Sequence, residues 1–257
     1  VMTRTGPDGA LYVVDMYRYM IEHPDWLPPE GKEELRPFYR SGEERGRIYR
    51  IYPSGARSDG GAALSNGEAY GFLDGLRSSN GRVRDLAQQQ IIEDQLISLV
   101  PQLTAMLQDE QSARTRLQAM ATIYGLNQLN ESHLLVALGD PVGQVRRQGI
   151  RFSEEVALNS ESLISRLAGM ADDPDDRVRL QLAFTLGELG GDDVLASLVR
   201  LAKDGRDDPM MVAAIMSSAA EHFESLLESL LSIPQYAEHL ARMAAALPER
   251  YGAMGQA

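Results

Sequence analysis

His23 is the first residue whose type and setting could do chemistry. It stands two residues before Asp25. Histidine titrates near neutrality, and a neighbouring carboxylate can tune it as a general base. A histidine on a loop, fixed by hydrogen bonds, is the plainer reading of the same residue. Asp8 and Asp15 flank an apolar run and could offer oxygen ligands to calcium. Asp8, inside Pro7-Asp8-Gly9, also suits a structural task, because aspartate stabilises its own turn. No Asp-x-Asp-x-Asp-Gly series accompanies them. Arg18, Arg40, Arg45, Arg47 and Arg50 could face an anionic cofactor. Glu22, Glu33, Glu34, Glu43 and Glu44 balance them, so surface pairing accounts for both sets.

Elsewhere the chemical signals thin out. His133, His222 and His239 are far apart and form no His-x-x-x-His pair. Glu154 and Glu155 read as the solvated face of a helix. Gly139, Gly143 and Gly149 make no phosphate loop, since no Gly-Lys-Ser/Thr follows. Met210, Met211 and Met216 read as core filling. The chain contains no cysteine. That excludes disulfides, thiol nucleophiles, Cys-ligated zinc and Cys-x-x-Cys-His haem attachment within it.

The elements that must position these residues change character near residue 60. Six of the ten tyrosines and the only tryptophan, Trp26, lie before it. Ser54-Gly-Ala-Arg-Ser-Asp-Gly-Gly61 has the composition of a linker. We place one segment at 1–55, a Gly/Ser-rich linker at 56–67 and a helical domain at 68–257. In the first segment, Pro7-Asp8-Gly9 is a turn, and Ala10–Val14 reads as a short buried strand. Asp15–Ile21 reads as a helical turn or an extended run, and His23–Pro29 as irregular. Arg47–Tyr52 reads as a second strand, ended by Pro53. Two strands alone are marginal in water, so this segment requires further strands or a surface to lie on.

The second segment repeats. Arg84, Arg116, Arg146 and Arg179 each open a helix, at spacings of 32, 30 and 33 residues. A fifth unit begins at Asp208-Pro209, with Met211 where the arginine would fall. Each unit continues with Leu, Ile and Ala at helical spacing, then a break and a second apolar helix. In the fourth unit the second helix runs from about Val194 to Ala202. This period, with two helices per unit, predicts an α-solenoid of about five repeats, because stacked units share the core that one unit lacks. The repeat arginines then form a ladder, either an anion or partner groove or braces to acidic turns such as Asp172, Asp173, Asp175 and Asp176. From Tyr236 one more amphipathic helix is expected.

Net charge is −12, and the whole excess lies after residue 58. Acidic repeats are poor binders of a phosphate backbone, so no nucleic-acid partner is expected. No run of eighteen apolar residues is present, hence no membrane segment in this chain.

Asp172-Asp-Pro-Asp-Asp-Arg-Val-Arg-Leu-Gln-Leu-Ala-Phe-Thr-Leu-Gly-Glu-Leu-Gly190 resembles HEAT-type, armadillo-like repeats, and the likeness covers roughly residues 68–232. Gly6-Pro-Asp-Gly-Ala-Leu-Tyr-Val-Val-Asp15 resembles a blade strand of glucose/sorbosone dehydrogenase-like β-propellers. The extension Met16-Tyr-Arg-Tyr-Met-Ile-Glu-His-Pro-Asp-Trp-Leu-Pro-Pro-Glu30 and Gly46-Arg-Ile-Tyr-Arg-Ile-Tyr-Pro53 is similar to the membrane-bound dehydrogenase family of planctomycetes and their relatives. That family carries a seven-bladed quinoprotein-like propeller, then HEAT-like repeats, and in many members a cytochrome c domain. The resemblance implies that residues 1–55 are the remnant of a last propeller blade. It implies a parent protein that oxidises a sugar or alcohol with PQQ and calcium, passes electrons to haem c and works in the periplasm or cell envelope. The catalytic base would be a histidine, for which His23 is the candidate here. Most of the propeller is missing, so no cofactor is expected on this fragment, and it should not catalyse alone. The other reading is a non-enzymatic scaffold whose repeat surface binds a protein or an adjacent domain, with the N-terminal hairpin capping its first repeat.

Overall fold

A computed structural model describes residues 2–21, 23–55 and 69–238 of the chain. The expected linker at 56–67 and everything after Glu238 lie outside the described residues, as do His239 and the His222 side chain. The chain forms two compact units, Val1–Leu96 and Ile97–Ala257.

The first unit opens with a three-stranded antiparallel sheet. Its strands are β1 (Met2–Thr5), β2 (Leu11–Asp15) and β3 (Arg47–Ile51), in the order β1-β2-β3. Two of these strands were expected. The short, polar β1 is supplied by residues preceding the turn. That turn closes as its residues dictate: Gly9 takes a φ of 77°, and Gly6 N–H bonds the Ala10 carbonyl at 2.8 Å.

Val14 lies between Met2 and Ile48, and Leu11 between Thr5 and Ile51. Alternation puts Met2, Tyr12, Val14 and Ile48 on one face and Leu11, Val13, Tyr49 and Ile51 on the other. The expectation of a buried strand fails beyond Ala10. Leu11 is 42 % exposed and Val14 is 40 % exposed. The reason is the sheet's size: apolar side chains stand on both faces, and three strands cannot cover both.

The connection from β2 to β3 is more ordered than its prolines suggest. Met16–Ile21 is neither helix nor strand, and Tyr17 adopts a φ of 51°. A 3₁₀ turn at Pro24–Trp26 then leads to α1 (Pro29–Leu35). Pro29 sits at the first helical position, where its missing N–H costs nothing. Two helices complete the unit, α2 (Ala69–Arg77) and α3 (Gly81–Glu93). Asn80 caps α3 by accepting the Arg82 N–H at 2.9 Å. Its amide also donates to the Gly6 and Pro7 carbonyls, at 3.0 and 3.2 Å. One side chain thus starts the helix and ties it to the turn before β2.

The second unit is helical throughout its described part. It holds α4 (Val100–Asp109), α5 (Ala113–Gly125), α6 (Glu131–Leu138), α7 (Gly143–Ala157), α8 (Glu161–Ala168), α9 (Asp176–Leu186), α10 (Asp192–Asp204) and α11 (Pro209–Leu231). Helices α5, α7, α9 and α11 stack in one layer, and α4, α6, α8 and α10 stack in the other. Equivalent positions are buried in each arginine-bearing helix: Thr115, Ala119, Met120 and Ile123 in α5; Val145, Gly149, Ile150 and Ser153 in α7; Val178, Leu182, Ala183 and Leu186 in α9. Their spacing is one face of a helix, and stacking joins Ile150 of α7 with Val178, Leu182, Ala183 and Leu186 of α9 in one core.

Helix starts are fixed locally. Ser112, Asn130, Ser160, Asp175 and Asp208 each accept a backbone N–H from the first turn that follows. Such a cap is worth about 1 kcal/mol. The second helix of the fourth unit, expected near Val194–Ala202, is α10. The fifth unit opens with one long helix, α11.

Candidate functional site

The repeat arginines have a common local role. Each sits four residues after a helix N-cap, and its Nη1 turns back to the carbonyl six residues earlier. Arg84 reaches Ser78 at 2.7 Å, Arg116 reaches Glu110 at 2.7 Å, Arg146 reaches Asp140 at 2.8 Å and Arg179 reaches Asp173 at 2.6 Å. The arginine therefore closes the turn that leads into its own helix.

Two of them also brace the next unit. Arg116 bonds both oxygens of Asp140, at 2.6 and 2.8 Å, and Arg146 bonds both oxygens of Asp173, at 2.7 Å each. These are bidentate, charge-assisted pairs, the strong kind. Both are buried. The acceptor is doubly used: Asp140 also takes the Val142 N–H and Asp173 the Asp175 N–H. Pairing with Asp140 raises the Arg116 pKa, and pairing with Asp173 raises that of Arg146. Burial pushes the Asp173 carboxyl up, but the Arg146 guanidinium and the Asp175 N–H outweigh burial and hold it below its usual value.

The ladder ends at Arg179. The position corresponding to Asp140 and Asp173, two residues before the next N-cap, is occupied by Arg206. Arg179 pairs instead with Asp176 of its own helix. Of the four expected acceptors, Asp173 alone receives a rung from the preceding unit. Asp172 pairs with Arg200, and Asp175 caps α9.

Other side chains bond from unit to unit. Ser197 Oγ donates to the Ala168 carbonyl, Ser218 Oγ to that of Ala183, and Arg166 Nη2 to that of Leu138. His133 links α6 to α4. Its Nδ1 accepts the Asn130 N–H at 3.3 Å, and its Nε2 lies 2.9 Å from Thr104 Oγ1. Thr104 donates its own proton to the Val100 carbonyl. This pattern assigns the neutral tautomer with the proton on Nε2. Burial lowers the His133 pKa in the same sense.

Braced in this way, the α7, α9 and α11 layer presents a groove of about 510 Å³ lined by Glu154, Glu155, Leu158, Phe184, Gly187, Glu188, Ser217 and Ser218. Leu158 is 63 % exposed and Phe184 is 41 % exposed. Glu154 Oε1 accepts the Thr185 hydroxyl at 2.8 Å, and Glu155 Oε1 the Tyr124 hydroxyl at 3.5 Å. Tyr124 stacks on Phe152 with ring centroids 4.3 Å apart. Among the described residues, none of Glu154, Glu155 and Glu188 forms an ion pair. Gly187 permits the floor: a Cβ there would lie 2.7 Å from Ser218 Cα.

Several residues singled out in the first segment pair with one another, and Arg18, Arg40 and Arg45 line one open pocket of about 630 Å³ with Tyr17, Tyr19, Glu43 and Glu44. His23 is largely exposed; its Nδ1 accepts the Asp25 N–H at 3.3 Å, and its ring lies 5.9 Å from that of Trp26. Asp8 accepts from Ala10 N–H, the Tyr12 hydroxyl and Arg50 Nε, at 3.1, 2.9 and 2.6 Å. Asp15, on the opposite sheet face from Tyr12 and Arg50, accepts the Tyr17 N–H and faces Arg47. Their oxygens are engaged by protein donors, so the pair does not make a calcium cradle. Arg18 and Arg40 share Glu43, and Arg47 lies over the Tyr17 ring at 4.0 Å.

The sequence reading missed the groove. Glu154 and Glu155 do stand on a helix surface, as read, but Phe184 and Glu188 come from the next unit. The periodicity itself was the available signal: arginine-aligned helices place their outer faces side by side.

Comparison with known families agrees with the architecture. Residues 1–55 match a family described as a domain of unknown function (DUF7133). Residues 131–219, from α6 into α11, match HEAT repeats. Neither description mentions a propeller or a dehydrogenase. No curated protein and no solved structure matches the chain. The HEAT repeats suggest a helical-repeat scaffold of the kind that mediates protein interactions.

Proposed function

We propose that the chain works as a protein-binding scaffold within a quinoprotein-like dehydrogenase, with its repeats holding a partner protein or an adjacent domain. The observation that carries the scaffold reading is the bonded stack. Buried Arg–Asp pairs and serine–carbonyl bonds cross successive unit boundaries, so the grooved surface is held in one shape before any partner arrives. A preorganised surface loses little entropy on binding. In-cell cross-linking of the whole protein tests this reading. Cross-links from residues 97–238 to another protein or domain support it, and cross-links confined to residues 1–55 refute it.

The dehydrogenase context rests on a different observation. The sheet displays apolar side chains on both faces, as a propeller blade does between two neighbouring blades. In this proposal PQQ, calcium and haem c belong to other parts of the parent protein. A coding sequence upstream of Val1 with six further Gly-x-Asp-Gly turns would support it, and an upstream sequence without them would sink it. The chain alone, supplied with PQQ and calcium, should reduce no dye in the presence of sugars. Turnover under those conditions would contradict the proposal.

A further inference from the structure

We infer that the groove between α7, α9 and α11 takes a cationic peptide segment of a partner, with arginine or lysine flanked by aliphatic residues. This rests on the scaffold reading and adds the chemistry of what is bound.

The groove offers two kinds of contact side by side. Leu158 and Phe184 stand exposed along it, and covering them removes apolar surface from water. Glu154, Glu155 and Glu188 supply three carboxylates without a cationic partner among the described residues. Glu154 and Glu155 are held by the hydroxyls of Thr185 and Tyr124. Those donors orient the carboxylates without neutralising them, so their charge remains available. Three other carboxylates of the same unit are already spent, Asp140 on Arg116, Asp173 on Arg146 and Asp172 on Arg200. The nearest arginine along α7, Arg151, does not line the groove. An acidic partner would meet three like charges, and a purely apolar one would leave the carboxylates desolvated and unpaired. A cation with an aliphatic stem and neighbours satisfies both, because arginine and lysine lay their methylenes on apolar surface while the head pairs.

The probe is a fluorescein-labelled Leu-Arg-Leu-Arg-Leu peptide, measured by anisotropy against the whole chain. Gly-Arg-Gly-Arg-Gly and Leu-Glu-Leu-Glu-Leu serve as controls. We expect the first peptide to bind, to weaken as salt rises and to lose about tenfold or more in affinity with Glu155→Lys/Glu188→Lys or with Phe184→Ser. Both glutamates are exposed, so circular dichroism should show the charge-reversed variant folded. Equal binding of the glycine control, no effect of the charge reversal on a folded chain, or a dimer of the chain that the charge reversal dissociates would each overturn the inference. Cross-links to a partner from another face of residues 97–238, with no peptide bound at the groove, would also overturn it while leaving the scaffold reading intact.

Discussion

Replacing Asp140 with alanine should destabilise the second unit by about 3–5 kcal/mol, the usual cost of removing one member of a buried ion pair. The structure gives the same scale from its parts. Arg116 Nε and Nη2 lose acceptors at 2.6 and 2.8 Å, while Nη1 keeps the Glu110 and Gln111 carbonyls. A hydrogen bond to a charged group contributes about 1.5–3 kcal/mol, and two are lost. The Arg116 and Asp140 side chains are only 8 % and 5 % exposed, so water cannot easily replace the carboxylate. Asp140→Asn should cost less, because its amide oxygen can keep the Val142 bond and one contact to Arg116. The internal control is Asp172→Ala. Arg200 and Asp172 are also close, at 2.6 Å, but both are more than half exposed, and such a pair is worth about 0–1 kcal/mol. Urea unfolding followed by far-UV circular dichroism at pH 7 measures all three, at low and high salt. If Asp140→Ala costs no more than Asp172→Ala, the rungs do not brace the stack and the reasoning fails. A double change, Arg116→Met with Asp140→Leu, should recover part of the loss, since it removes the orphaned charge but also the bonds to the Glu110 and Gln111 carbonyls and from the Val142 N–H.

Four other perturbations follow from the structure. The lowered pKa of His133 means that the unfolded chain takes up a proton first, so stability present above about pH 6.5 should fall as the medium acidifies through the folded pKa. His133→Gln should flatten that slope in urea titrations between pH 7 and 5, and an unchanged slope would show that His133 does not titrate differently on folding. The lowered pKa of Asp173 acts at lower pH: its contribution is complete above the unfolded carboxylate value and is lost as pH falls through the folded one, so Asp173→Asn should weaken the acid sensitivity seen below about pH 4. Tyr236 is fully buried, its hydroxyl has no hydrogen-bond partner among the described residues, and burial followed by the charge of Asp208 pushes its pKa to about 12. Tyr236→Phe should therefore be neutral or raise stability by up to about 1 kcal/mol, and a clear fall in Tm would reveal a hydroxyl partner. Gly187→Ala sets a Cβ against Ser218 and should cost about 1–3 kcal/mol as α9 and α11 are forced apart; an unchanged Tm would show that the groove floor is soft.

The repeat was legible because one arginine position performs one backbone task in each of the first four units. Its spacing showed the period, and the Leu/Ala pattern around it showed the buried face. The fifth unit was harder. Met211 occupies the expected arginine position by sequence alignment, but counting from the Asp208 cap puts Val212 there. The accompanying change, Arg206 in place of an aspartate, ends the ladder at Arg179. Strand β1 was invisible because Met2–Thr5 carries too little apolar pattern, and its pairing is set by the turn beyond it. The double role of Asn80 depends on a turn more than seventy residues away, which no local rule contains. The groove is likewise a product of stacking: Leu158 and Phe184 sit in different units, and only the register of α7 against α9 makes them neighbours.

Site-specific photocross-linking in cells tests the account most directly. A benzophenone amino acid is placed at Phe184 on the groove, or at Arg200 on α10 in the other layer. A discrete adduct with a partner protein or adjacent domain is expected at position 184, lost when Glu155 and Glu188 become lysine, and little or none at position 200. No adduct at 184, or an adduct there indifferent to the charge reversal, would contradict it.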